Sequence, residues 1–98
     1  FIIGCKGIIP CLDGADRVIK IYKLIQKNNI VTANKEYEKI LPTIVFIMQS
    51  INTLVCYGKR ICAYRMAVSN VYDRKPFLSP TDYGIKKSKE IAKQLGRF

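Results

Sequence analysis

Apolar residues recur every three to four positions along most of the chain, and almost nowhere do they alternate in twos. The period is helical throughout. The segment LDGADRVIKIYKLIQKNN carries Val18, Ile21, Tyr22 and Ile25 on one stripe, with Asp13 placed to cap its start. Lys20, Lys23 and Lys27 sit toward the negative end of its dipole, so a helix is expected over 13–28. A short helix is expected over 32–41, because Leu41 precedes a proline and is biased away from helical dihedrals. Pro42 suits the first turn of a new helix, and only the tolerable Gly58 interrupts the run to Tyr72. One long helix over 42–72 is therefore the expected organising element. The stretch DRKPFLS reads as a loop. Ser79, Pro80 and Asp82 then supply start signals for a last helix over 80–95, stopped by Gly96. Residues 1–12, apolar but broken by two glycines and a proline, read as an arm. The expected fold class is all-α, a single small helical domain over 1–98 built on one central helix.

Within that helix lies ILPTIVFIMQSINTLVCYG, nineteen residues without a charge. At 1.5 Å per residue they reach about 28 Å, close to the thickness of a bilayer core. Gln49, Ser50, Asn52 and Thr53 fall near the centre, where unpaired polar groups are costly in lipid. The polar positions are also not scattered. Gln49, Asn52–Thr53, Cys56 and Lys59–Arg60 continue as one face, with Val45, Met48, Ile51 and Val55 opposite. The pattern leans toward an amphipathic helix, packed on protein or lying at a membrane surface, over a true span. A span inside a larger assembly stays open, since neighbouring helices would hide the polar row. The packing positions expected from both stripes are Val18, Ile21, Tyr22 and Ile25 against Val45, Met48, Ile51 and Val55.

Charge adds a partner class. Seventeen Lys and Arg face seven Asp and Glu, a net charge of +10 on 98 residues, which predicts an anionic partner. Two clusters carry the expectation. Lys59, Arg60 and Arg65 follow the uncharged window, where headgroup-level cations belong. Lys86, Lys89, Lys93 and Arg97, with Lys87 beside them, stripe one face of the last helix. Both are expected to contact acidic phospholipid or another phosphate, although ordinary helix-end solvation explains the first cluster and a solvated face the second as well. Nucleic acid is the less favoured partner, because no zinc module, GXXG loop or aromatic-basic sheet motif accompanies the charge.

The chain has no His, and with it go the commonest general base and the commonest metal ligand. The few carboxylates form no helical acid–base pair. Asp13 and Asp16 are explained by capping, and Glu36 and Glu38 point apart. No glycine-rich phosphate loop is present. Cys5 and Cys11 are six apart, as are Cys56 and Cys62, too wide for the usual zinc pairs. Free thiols and no bound metal are expected, and a disulfide among the four is compatible with an oxidising compartment. No enzyme and no cofactor is expected.

The functional expectation is a non-catalytic accessory subunit of a larger membrane-associated complex, bound to other protein subunits. The mitochondrial inner membrane or another organellar membrane is the expected location, in a respiratory-chain or ATP-synthase type of assembly. The first residue, Phe1, leads one to expect a preceding piece, a processed targeting peptide being one form of it. The rival reading is a basic RNA-binding or ribosomal accessory protein.

Overall fold

Helix α1 (Ala15–Gln26) and helix α2 (Ile30–Ile47) are joined by three residues and lie antiparallel in a computed structural model that describes all 98 residues. Asn29 caps α2, its side chain accepting from the Thr32 N–H at 3.3 Å. Ile21 of α1 is buried with Ala33 and Ile40 of α2, and Val18, Ile25 and Ile44 pack around them. Each fully buried Ile of this kind contributes roughly 1.5–3 kcal/mol. Glu36 is buried at the same interface between Lys20 (3.1 Å) and Lys39 (3.0 Å), so the hairpin is bridged by charge as well.

Helix α3 (Ile51–Arg65) then leaves at 108° to α2. It opens with one α turn, passes through a π segment (Leu54–Gly58) and finishes as an α-helix over Lys59–Arg65. The loop after it runs back along α3, where Asp73 meets Lys59 and Arg60. Helix α4 (Asp82–Leu95) therefore starts beside Tyr57 and ends beside Arg65, parallel to α3. Ile47, Tyr57 and Ile61 meet Ile91, Ala92 and Leu95 in the larger core. The fold is all-helical, with no strand.

The single long helix over 42–72 is replaced by two helices with a corner between them. Ser50 is extended (φ −160°, ψ 165°) and forms a reciprocal cap with Thr53. The Ser50 hydroxyl accepts from the Thr53 N–H at 3.1 Å, and the Thr53 hydroxyl accepts from the Ser50 N–H at 2.9 Å. The same Thr53 hydroxyl lies 3.0 Å from the Ile47 carbonyl, one of those left open by the end of α2. Pro42 is also not a helix start. It lies inside α2, on an exposed face. Its missing N–H costs one backbone bond, and burial of Ile40, Thr43 and Ile47 along the opposite side outweighs that loss.

The packing stripe is corrected with it. The α1 residues Val18, Ile21 and Ile25 pack on α2, while Tyr22 meets the arm through Phe1 at 5.0 Å between ring centroids. Their expected partners turn outward instead: Val45 is 62 % exposed, Met48 59 %, Ile51 79 % and Val55 55 %. Two causes combine. The corner breaks the phase between α2 and α3. The π segment then adds a residue to one turn, shifting a count of 3.6 by about 100°.

Candidate interaction surface

Charge in this molecule divides into an inner and an outer set. Arg65, at 2 % exposure, is among the most completely buried side chains. Its two terminal nitrogens bond the Asp16 carboxylate at 2.8 and 2.7 Å, and one of them also donates to the Asp13 carbonyl at 2.7 Å. Its Nε donates to the Gly96 carbonyl at 2.6 Å, and the Phe98 ring stacks 4.0 Å from its Cζ. Arg17 reinforces the same corner with a bond to the Leu95 carbonyl. Arg60 is buried too. It pairs with Asp73 (3.2 and 2.6 Å) and donates to the Cys56 carbonyl, and Lys59 joins Asp73 at 2.6 Å. Arg60 and Lys59 hold the Asp73 carboxyl down at about 2.

The first expected anion-contact cluster is thus corrected. Lys59, Arg60 and Arg65 are committed to internal carboxylates and carbonyls. Their cost of desolvation is met inside the fold, and they have little left to offer a headgroup. The second cluster remains outside. Lys86, Lys89 and Lys93 are exposed on α4, and Lys89 Nζ lies 5.8 Å over the Tyr64 ring. Lys87 is half-buried and near Glu90 at 3.7 Å. Arg97 lies past the helix end, beyond Gly96 at φ +79°.

A second outward feature is the corner itself. Leu41, Val45, Met48, Ile51 and Val55 are exposed on either side of it, in the part of the chain that carries no charge. Scattered exposed apolar residues need no explanation, but a run of five at one bend does. No single helix is long and apolar enough to cross a membrane. The α2–α3 pair meets the length and composition together but is bent by 108°.

The cysteines gather no third ligand. No group of three His, Cys, Asp or Glu side chains is placed to hold a metal. All four thiols are free: Cys5 and Cys11 exposed on the arm, Cys62 half-buried, Cys56 buried. Burial pushes both the Cys56 and Cys62 thiols up, away from reactivity. Asp13 is buried beside Gly58 at the wall of a cavity of about 600 Å³ shared with Cys62, Met66 and Tyr72. Burial raises its carboxyl above the ordinary range, with partial relief from its own backbone and from Arg65.

Three structural residues carry no sequence signal of the kind used for the motifs. Asp73 sits in an apparent loop, yet it neutralises two cations. Gly84 lies in the last helix because the Tyr57 ring occupies the space of its side chain: a Cβ there would come within 2.3 Å of that ring. The Tyr57 hydroxyl lies 3.2 Å from the Thr81 N–H and 3.4 Å from its Oγ1, fastening the start of α4 to the π segment. Compared with protein-family models, with curated proteins and with solved structures, the chain finds no match.

Proposed function

We propose that this chain is a non-catalytic accessory subunit that seats its α2–α3 corner in the interfacial layer of an acidic membrane, within a larger assembly. The observation that carries the reading is the exposed run Leu41, Val45, Met48, Ile51 and Val55 around an uncharged bend. A bend of 108° lays two short apolar faces at a surface and does not thread one through a bilayer. The lysines of α4 add attraction to acidic headgroups, each worth about 1 kcal/mol near such a surface. With Lys59, Arg60 and Arg65 paired inside, the exposed Lys86, Lys89 and Lys93 are the cations this reading assigns to that role.

Flotation with vesicles tests it. The protein should rise with vesicles containing cardiolipin or phosphatidylserine and stay behind with purely zwitterionic ones. Met48→Glu with Ile51→Glu should abolish flotation. Replacing Lys86, Lys89 and Lys93 with Gln should weaken it and remove most of its salt dependence. If the corner variant floats like the parent, the membrane reading is wrong. If RNase releases the protein from its native complex, the RNA-binding alternative takes its place.

A further inference from the structure

The arm and the α1/α2 hairpin flank a cleft of about 570 Å³, open to solvent on the arm side, on residues that the corner reading does not use. Twelve of the fourteen residues around it are hydrophobic, among them Ile8 of the arm, Val18 of α1 and Ile40 and Ile44 of α2. Asn34 and the hydroxyl of Tyr37, itself one of the twelve, are the polar side-chain groups in the wall. The walls are suited to hydrocarbon. At about 30 Å³ per water-sized group the volume takes roughly nineteen such groups, the length of one long alkyl chain. It also lies within the range of small-molecule sites, about 300–1,000 Å³.

The head group follows from charge. No acidic residue lines the cavity, and exposed Lys6 stands on the arm between two lining residues, Cys5 and Gly7. The entry route follows from how the arm is held. Phe1 packs edge-on against Tyr22, and the Gly4 N–H to Phe1 carbonyl bond is the only one made by the backbone of residues 1–10. Side-chain contacts alone fasten the roof to the helices, so it lifts without breaking a ladder.

We infer that this cavity binds a single unbranched alkyl chain with a carboxylate head, a long-chain fatty acid, between the arm and the α1/α2 hairpin. The chain contains no Trp, so Tyr37→Trp introduces one reporter in the wall. Fatty acids brominated along the chain, kept below their aggregation concentration, should quench that Trp saturably with one site per protein. Across a saturated C12–C24 series, each added methylene should tighten binding by up to about fourfold, then stop near C18–C20 once the space is full. An alkyltrimethylammonium of equal chain length should bind at least tenfold more weakly. Ile44→Glu should cost at least tenfold, whereas Val45→Glu, one position along and facing outward, should cost nothing. Quenching that fails to saturate, affinity that climbs through C24 without a plateau, or equal binding of the ammonium overturns the assignment. Should Ile44→Glu not fold, the plateau and the Trp quenching decide the matter alone. Corner variants Met48→Glu and Ile51→Glu should leave fatty-acid binding intact, so failure here and failure of the membrane reading remain distinguishable.

Discussion

Arg65 and Asp16 face each other fork to fork, their two bonds at 2.8 and 2.7 Å closing a loop of 49 residues. The guanidinium is fully enclosed, while the carboxylate keeps a third of its surface in water. Arg65→Met and Asp16→Asn should each destabilise the fold by about 3 kcal/mol, the range for breaking one side of a buried pair. Urea unfolding midpoints at constant slope measure it. The double variant should cost clearly less than the sum, with a coupling of at least about 1 kcal/mol. Additive losses would mean the two residues act separately.

Gly84 is a packing requirement of Tyr57. Gly84→Ala should cost about 1–3 kcal/mol by overpacking, although alanine is the better helix former. Tyr57→Phe should cost only about 1 kcal/mol, the loss of its bonds to Thr81. Combining Gly84→Ala with Tyr57→Leu should recover some of the alanine penalty. A neutral Gly84→Ala would show that the ring moves aside freely.

Acid should weaken the fold through Asp73 and strengthen it through Asp13. The Asp73 carboxyl is depressed to about 2 from 3.8 by Arg60 and Lys59. Its contribution is therefore present above pH 3.8 and lost as pH falls toward 2. Asp16 and Glu36 act in the same direction, lowered chiefly by Arg65 and by Lys39 with Lys20. Asp13 is raised, so its contribution is present below 3.8 and lost as pH rises through its folded value. Asp13→Asn should raise the melting temperature at pH 7 and leave it nearly unchanged at pH 3. Asp73→Asn should lower it at pH 7 and flatten the fall on the acid side. Thermal melts across pH 2–8 read both.

The Ser50–Thr53 box sets the corner. Ser50→Ala should cost about 1 kcal/mol, as for other helix caps. Amide exchange at Thr53, whose N–H bonds the Ser50 hydroxyl, should speed up more than exchange at Ile61 in the core. Equal acceleration at both would point to global destabilisation and not to the cap.

Legibility in the sequence follows the range of the interaction. The α1 stripe at Val18, Ile21 and Ile25 is readable because a 3.6 period and one partner helix decide it locally. The last helix is readable at its end, where Gly96 stops it, but it starts at Asp82 with Thr81 capping the Gly84 N–H, two residues past the expected Ser79–Pro80 start. The corner is easily misread because Thr53 fits two patterns, the polar row with Gln49 and Asn52 on one helix and the reciprocal cap with Ser50 at the start of another. Only the second satisfies the open carbonyl of Ile47. Pro42 misleads because its helix-starting preference is weaker than the burial of Ile40 and Ile47 on either side. The basic cluster at Lys59, Arg60 and Arg65 is opaque for a different reason. Its partners, Asp73 and Asp16, lie 13 and 49 residues away from Arg60 and Arg65, and no local spacing announces them.

One guanidinium holds both the Asp13 carbonyl, where the first helix enters, and the Gly96 carbonyl, where the last one leaves. Traction applied to the two ends therefore runs through Arg65 across a few ångströms. The corner and most of α2 lie off that line of force. The clasp must give way in shear before the helices bear load, so the molecule resists pulling at its ends more than its modest core suggests.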